Sequence, residues 1–294
     1  MHLSCHKLYF WLLILDCGVF MNEKNRENKE PIEKKTENQD KKKNKKRIIL
    51  LILAIVVFVC ACVYIGIYLY NSSMAQREAD LVTTPDTTVS KTGPLADNPV
   101  DFAALQQSND EIYAWIKIED TDVDYPIVQS KNDDDFYLRH SAYDKSWLAS
   151  GAIYTQGMNS KDFSDPVTVI YGHNGYRETM FTSLHQFEDE AFFDSHEYFC
   201  IYMPQRKLTY QVISAFKYDD RHIMNSFNFA VPQDLANFQE TVKNPSSALK
   251  NVRTDLDVPI DENSRIVVLS TCITNQKSNR YLVCGVLVKD EKTN

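Results

Sequence analysis

The stretch IVVLSTCITNQKSNRYLVCGVLV, residues 266–288, decides the fold class of this chain. Its two ends, 266–271 and 281–288, are rich in Val, Ile and Leu and predict two β-strands, whereas the polar residues between them predict a loop. Two adjacent strands joined by residues 273–279 would bring Arg280 back beside Cys272. Because a thiol at a strand end beside a loop is well placed to meet a substrate, the same hairpin supplies the first candidate site.

The rest of the chain continues this pattern. Short runs of Val, Ile, Tyr and Phe separated by turn residues predict further strands at 112–118, 151–155, 167–171, 197–203 and 208–216. Apolar spacing predicts helices at 101–107, 180–187 and 232–242. Many short strands and few helices favour a mostly-β barrel or sandwich over a doubly wound parallel sheet.

Composition excludes several classes of protein. The 294 residues are 44% hydrophobic, which is enough apolar material for a packed core and excludes a wholly disordered chain. Seven scattered cysteines do not form the framework of a small disulfide-rich protein. A formal net charge of -8 gives no support for nucleic-acid binding.

An uncharged stretch near the N-terminus predicts a membrane anchor. Residues 48–70 carry no charged side chain, and a helix of that length crosses the hydrocarbon core of a bilayer. Residues 41–47 form a cluster of lysines and an arginine directly before this stretch. Such basic clusters next to a membrane span stay on the cytoplasmic side. We therefore expect a single-pass protein in the cell membrane with residues 71–294 on the outer side.

The same features divide the chain into four regions. Residues 1–47 are expected to be a cytoplasmic tail that is polar and disordered over 22–47, and residues 48–70 the transmembrane helix. An extracellular stalk rich in Ser, Thr, Asp and Pro is expected at 71–97, and the folded domain at 98–294. Within the tail, residues 1–20 are either a signal-like segment or lie upstream of the true start, and we favour Met21 as that start.

Several common catalytic and cofactor-binding motifs are absent from the sequence. The sequence contains no P-loop, G-x-S-x-G, H-E-x-x-H or dinucleotide fingerprint. Asp133, Asp134 and Asp135 are potential calcium ligands, but a helix cap or solvated loop is the favoured interpretation. We expect no metal site and no organic cofactor.

The remaining candidates for a catalytic site are the cysteines and histidines. Cys200 and Cys284 lie within apolar strands and are expected to be packing residues, whereas Cys272 ends its strand. A thiol needs a histidine and a nearby cation to act as a nucleophile. His173 follows a strand in a glycine-flanked turn, and Arg280 is the expected cation. The other histidines of the outer part are expected to be surface or packing residues; they are His140, His185, His196 and His222.

The run Val268-Leu-Ser-Thr-Cys272, with Arg280 opening the next strand and Tyr171-Gly-His173-Asn upstream, resembles the signature of the sortase family. Segments such as 136–140 and 232–242 are similar to class B sortases in particular. The resemblance implies a closed eight-stranded β-barrel with N-terminal helices and a helix inserted between late strands. Two departures stand out: Val268 replaces a threonine of the usual motif, and no aspartate directly follows the cysteine.

By this resemblance the protein is a membrane-anchored cysteine transpeptidase of a Gram-positive cell surface. Cys272 would cleave a C-terminal sorting signal of secreted proteins through a thioacyl intermediate, with His173 moving protons and Arg280 stabilising the oxyanion. An amine of peptidoglycan or of its lipid-linked precursor would then accept the protein. Ser270, two residues before the cysteine on the same strand face, and Thr271 are candidate substrate contacts.

Two other functions remain open at this point. A hydrolytic cysteine protease at the cell surface would use the same thiol but release a free acid. A non-catalytic adhesion domain would not need Cys272, His173 and Arg280 together.

Overall fold

A computed structural model describes residues 33–80, 95–175 and 179–293. The strands are β1 (Ile112–Lys117), β2 (Asp124–Val128), β3 (Ile153–Tyr154), β4 (Val167–Tyr171), β5 (Tyr198–Met203), β6 (Arg206–Asp219), β7 (Lys250–Val252), β8 (Ile266–Ile273) and β9 (Gln276–Lys292). The α-helices are α1 (Glu33–Asp80), α2 (Phe102–Ser108), α3 (Glu190–Ser195), α4 (Ile223–Ser226) and α5 (Pro232–Lys243). Two 3-10 helices cover Phe136–Leu138 and Thr182–Glu188.

The strands close into a barrel. They follow the order β5-β1-β2-β3-β4-β8-β9-β6, and the pairing of β5 with β6 completes the ring, so that eight strands form the barrel and β7 extends from β6. Two neighbouring pairs, β2 with β3 and β4 with β8, run parallel, and the other pairs are antiparallel. The closed eight-stranded barrel that the resemblance implied is confirmed.

Side chains alternate between the two faces of β8 and β9. Leu269 and Tyr281 point into the barrel and belong to its main core cluster. Val268, Leu282 and Cys284 belong to a second cluster on the outer face, which includes residues of α5. Helix α5 lies between β6 and β8 in the chain and is the helix predicted at 232–242. The outer face of the hairpin is therefore covered at its Cys284 end.

Most predicted strands are present, and two observed strands were missed. β2 contains Pro126, and a proline within a run of residues argues against a strand there. The strand forms because only Ile127 and Val128 pair with β3, so the proline nitrogen, which cannot donate a hydrogen bond, lies outside that ladder. β7 has three residues, too few for a periodic signal. The helix predicted at 180–187 is a 3-10 helix, Thr182–Glu188. The predicted loop 273–279 is also shorter, because β8 and β9 turn at Asn275, whose φ of 62° asparagine tolerates.

Helix α1 is longer than the predicted span of 48–70. It begins at Glu33 and ends at Asp80, since the Lys, Glu, Ala and Arg residues that flank the apolar part are good helix formers. The segment Lys43–Tyr70 is long and apolar enough to cross a membrane, and its side chains are almost all exposed. The expected start at Met21 and residues 81–94 of the expected stalk lie outside the described residues.

Candidate active site

Three neighbouring strands bring the predicted site residues together. β4 and β8 are parallel, so their carboxyl ends meet at the same edge of the barrel. Cys272 lies at that end of β8, and His173 follows β4 by two residues. β9 returns antiparallel to β8, and Arg280 is the direct register partner of Cys272. The hairpin thus brings Arg280 back beside Cys272, as its sequence predicts.

A tight turn presents His173. Gly172 is buried at the end of β4, and its amide donates to the carbonyl of Ser270 at 3.1 Å. A Cβ atom added at Gly172 would lie 2.5 Å from Ile153 Cδ1 and 2.6 Å from the Phe181 ring, so only glycine fits there. The turn is therefore held between β8 and the barrel interior, and it fixes the direction in which His173 leaves the strand.

The ring of His173 is half-buried and hydrogen-bonded. Its Nε2 lies 2.8 Å from the carbonyl oxygen of Leu138, which can only accept, so Nε2 carries a hydrogen. Burial lowers the pKa of His173 below its ordinary value and the hydrogen bond to Leu138 opposes this shift, while the charge of Arg139 lowers the pKa further. The imidazole is therefore neutral at pH 7, with Nδ1 as its basic atom.

Cys272 is exposed at a break in the strand ladder. The register of β8 and β9 shifts between Cys272 and Ile273, an irregularity of the kind that re-aims side chains next to active sites. Arg280 is half-buried, and its Nη1 donates to the carbonyl of Asn279 at 3.1 Å. The thiol therefore faces solvent with a guanidinium directly across the hairpin.

All five sequence-predicted site residues line one cleft on the outer surface of the barrel. They are His173, Ser270, Thr271, Cys272 and Arg280. Other elements complete the cleft; their contributions are Asp135, Leu138, Tyr154, Gln156, Tyr171, Gly172, Tyr218, Asp220, Arg221, His222, Ile223 and Leu282. A cleft of this composition can hold a peptide with both polar and apolar side chains.

The two candidate substrate contacts differ. Ser270 stands two residues before Cys272, and the alternation of β8 places it on the same face. Thr271 points to the opposite face, is 1% exposed, and has a buried hydroxyl without a hydrogen-bond partner. Only Ser270 can therefore offer its side chain to a ligand in the cleft without rearrangement.

Aromatic side chains form another wall that the sequence did not reveal. Tyr154 and Tyr171 pack with their rings 5.5 Å apart. Burial raises the pKa of each phenol and the negative charge of Asp135 adds to both shifts, so both are neutral at pH 7. Tyr171 stands two residues before His173, which was the one signal that pointed to it.

Two histidines assigned to the surface or to packing lie at the site instead. His222 lines the cleft, and its Nε2 is 2.7 Å from Gln156 Oε1. His185 Nε2 is 3.1 Å from the carbonyl oxygen of Cys272. Both come from segments far from the hairpin in sequence, and only the tertiary fold brings them there.

The acidic run at 133–135 forms a turn. Asp133 Oδ1 accepts from the amide of Asp135 at 3.0 Å, and Asp134 Oδ1 accepts from the amide of Gly157 at 2.7 Å. In residues 33–80, 95–175 and 179–293 no group of three or more His, Cys, Asp or Glu side chains is arranged to hold a metal ion. The carboxylates of Asp133 and Asp134 therefore bind backbone amides in and beside the loop before the first 3-10 helix.

Comparison with known proteins bears on this arrangement. A family model described as "Sortase domain" matches residues 116–288. Sortase B of Listeria monocytogenes is 30% identical over 230 residues, which cover 76% of this chain and 89% of the relative.

Solved structures are similar as well. The crystal structure of sortase B from Bacillus anthracis has a TM-score of 0.59 and 28% identity, and the match covers 73% of this chain and 95% of the other. A sortase B–substrate complex from Staphylococcus aureus has a TM-score of 0.55 and 26% identity, covering 64% and 84% of the two chains. The fold thus has counterparts among class B sortases.

Proposed function

Because this chain belongs to the sortase family, we propose that its transpeptidase reaction is carried out by Cys272, His173 and Arg280. The chain is a sortase-type cysteine transpeptidase of class B; what is proposed is the role of each residue. The observation that carries the proposal is that the three side chains, from β8, β9 and the turn after β4, line one cleft.

The first half of the reaction forms a thioacyl enzyme. Cys272 Sγ bonds to the scissile carbonyl carbon of the sorting signal, and the carbonyl oxygen becomes an oxyanion. Arg280, the register partner of Cys272, stabilises that negative charge with its guanidinium. The peptide C–N bond then breaks, the carbonyl re-forms as a thioester, and the amine fragment leaves.

His173 moves the proton in both halves of the reaction. With Nε2–H bound to the carbonyl of Leu138, Nδ1 takes the thiol proton and delivers it to the leaving amine. A lowered pKa suits this role, because the imidazole starts neutral and its imidazolium releases the proton more readily. In the second half the neutral imidazole removes a proton from the attacking amine, the new amide forms as the C–S bond breaks, and the imidazolium returns the proton to the departing thiolate.

The partners follow from the family chemistry. We propose that the acyl donor is a secreted protein with a C-terminal sorting motif of the Asn-Pro type, as the class B resemblance suggests. The acceptor is an amine of peptidoglycan or of its lipid-linked precursor in a Gram-positive cell wall. Ser270, on the same strand face as Cys272, contacts the bound motif.

Membrane anchoring completes the proposal. The apolar segment Lys43–Tyr70 of α1 fits a single-pass anchor, and the basic cluster at 41–47 supports an N-terminus in the cytoplasm. The catalytic domain then lies on the outer face, where secreted substrates emerge. Protease added to intact protoplasts should digest the part after Asn71 and spare the N-terminal tail; a protected domain would contradict this topology.

Product analysis tests the reaction. The protein is incubated with an Asn-Pro-type pentapeptide, with and without an added amine, and the products are weighed by mass spectrometry. A transpeptidase yields a new amide in the presence of the amine, whereas a hydrolytic cysteine protease yields only the free acid. An adhesion domain would leave the peptide intact whether or not the amine is present.

A further inference from the structure

Two side chains from outside the hairpin contact the carbonyl oxygen of Cys272. Asn174 Nδ2 donates to it at 3.0 Å and reaches Thr274 Oγ1 at the same distance of 3.0 Å. His185 Nε2 lies 3.1 Å from the same carbonyl oxygen. Asn174 directly follows His173, so its hydrogen bond ties the segment that carries the base to the segment that carries the nucleophile.

Glu188 and Tyr281 fix the ring of His185. Nδ1 of His185 lies 2.6 Å from Glu188 Oε1, and because a carboxylate only accepts, Nδ1 carries a hydrogen. The ring stacks on Tyr281 with centroids 5.0 Å apart and an interplanar angle of 27°. Tyr281 is the neighbour of Arg280, so the ring is packed against the strand that carries the cation.

With Nδ1 protonated, Nε2 has two uses. In neutral His185 its lone pair accepts from Asn174 Nδ2, 3.2 Å away, and orients that amide. In the charged form Nε2–H donates to the carbonyl of Cys272 directly, and both hydrogens of Asn174 Nδ2 then serve Cys272 and Thr274. In either form a chain of hydrogen bonds leads from Glu188 to the backbone of the nucleophile.

We propose that Asn174, His185 and Glu188 form a positioning relay that holds the backbone of Cys272 in line with His173. The inference rests on the proposed role of Cys272 as nucleophile and adds three residues that support it without contacting substrate. The relay acts where the register of β8 and β9 breaks, which is where the strand ladder alone constrains the backbone least. A misplacement of about 1 Å at a reacting group can cost on the order of 100-fold in rate.

Two variants of His185 separate a positioning role from a structural one. His185→Phe keeps the stack on Tyr281 but loses both hydrogen bonds, whereas His185→Gln keeps an amide donor without the ring. We measure kcat and KM of the full chain in detergent with a fluorogenic Asn-Pro-type pentapeptide. We expect His185→Phe to lower kcat about tenfold with KM within about twofold, and His185→Gln to recover at least about threefold of the loss.

Asn174→Asp is a second test of the same relay. It is nearly isosteric but places an acceptor against the carbonyl oxygen of Cys272, so we expect kcat to fall at least as far as in His185→Phe. His196→Phe is the matched control, since His196 also stacks on a neighbouring ring, Phe192 at 3.7 Å, and its Nδ1 bonds to the carbonyl of the same residue, away from the cleft. The control should keep the kcat of the unaltered protein.

A substrate-free readout keeps this inference separate from the proposed function. Iodoacetamide alkylation of Cys272, mapped by mass, reports the reactivity of the thiol whether or not any peptide is cleaved. We expect His185→Phe to slow it about threefold relative to His196→Phe, because a shift of the Cys272 backbone moves the thiol away from His173, the base that takes its proton. A protein that cleaves no peptide but shows this slowing contradicts the proposed function alone.

Three outcomes would overturn the relay. One is a His185→Phe protein with unaltered kcat and alkylation rate. Another is a His185→Gln protein that recovers nothing relative to His185→Phe, which would mean that a hydrogen-bond donor at this position does not restore the rate. The last is an Asn174→Asp protein that stays fully active while its near-ultraviolet circular dichroism shows a native fold.

Discussion

Each end of the β8–β9 hairpin carries a cysteine on its outer face, and the two cysteines differ in exposure. At one end Val268 pairs with Cys284 under α5, fully buried in the outer core cluster. At the other end Cys272 pairs with Arg280, exposed and lining the cleft. Both cysteines point to the same outer face of the hairpin. They differ because residues of α5 pack over Cys284 and leave Cys272 exposed. Burial raises the pKa of Cys284 far above its ordinary value, which keeps that thiol protonated and inert.

The comparison shows how one hairpin of a barrel can bury one cysteine and expose another. A regular ladder and a covering helix make a thiol part of the core, whereas an uncovered strand end with a register break presents it to solvent. The cation and the histidine then follow from topology, because an antiparallel partner and a parallel neighbour both end at that edge. The predictions below test this difference between the two ends.

The largest effect is expected from exchanging the cysteines one at a time. Cys272→Ala should abolish turnover, because no other group can form the thioacyl intermediate, while Cys284→Ala should retain the chemistry. Peptide cleavage is measured for both, and a thiol reagent is mapped by mass in the unaltered protein. Cys200→Ala, from half-buried Cys200, serves as a further control. Turnover that survives modification of Cys272 would assign the nucleophile elsewhere.

The next largest effect on activity is expected at His173 and Arg280, beside the exposed Cys272 end of the hairpin, which we call the open end. His173→Ala and Arg280→Ala should each lower kcat/KM on the order of 10³-fold, since members of one catalytic unit fail together. Arg280→Lys should recover little, because an ammonium lacks the planar fork of the guanidinium. His196→Ala, which removes a histidine away from the cleft, should leave kcat/KM unchanged. A loss of less than about tenfold in either alanine variant would remove that residue from the unit.

The pH dependence of the open end should reflect the environment of His173. The profile of kcat/KM should be bell-shaped, and because burial lowers the pKa of His173, its acid limb should lie below pH 6.5. Arg139 lowers that pKa further by its charge. Arg139→Ala should therefore raise the pKa and move the acid limb toward higher pH. A limb that stayed in place or moved to lower pH would contradict the assignment of this limb to His173.

The covered end should show its effect in stability rather than in rate. Cys284→Ala removes a fully buried side chain and should cost about 1–2 kcal/mol of unfolding free energy, measured by urea denaturation. Cys272→Ala removes an exposed one and should cost almost nothing. Equal losses of unfolding free energy in the two variants would show that the two ends of the hairpin do not differ in burial as described.

The sequence predicts the hairpin well because both signals in it are local. Runs of β-branched and apolar residues define the strands, and counting residues across the loop brings Arg280 to Cys272. His173 was predicted from a strand and a glycine-flanked turn, and the collision that a Cβ at Gly172 would make explains why glycine stands there. These features need no knowledge of the rest of the fold.

What the sequence did not reveal depends on distant segments. His185 reaches Cys272 only because a 3-10 helix packs against β9, and His222 enters the cleft through the connection between β6 and α5. Residues 182–188 and 220–223 carry no periodic pattern that points to the hairpin. Their roles arise from tertiary contacts between segments that are distant in sequence, and the residues that flank each histidine do not indicate those contacts.

The smallest effect is expected at the end of β9 farthest from Arg280. The amide of Ala96 donates to the carbonyl of Lys292 at 3.1 Å, and Asn98 Nδ2 donates to the carbonyl of Met203 at 2.9 Å. Removing residues 1–97 deletes the first of these bonds and keeps the second, so the domain should stay soluble, folded and active. A protein that begins at Leu95 keeps both and is the matched control; the difference in unfolding free energy should not exceed about 0.5–1.5 kcal/mol, the value of one hydrogen bond. Equal kcat/KM in the two proteins would show that the open end of the hairpin does not depend on this contact. Aggregation or lost activity of the shorter protein alone would move the domain boundary upstream of Asn98.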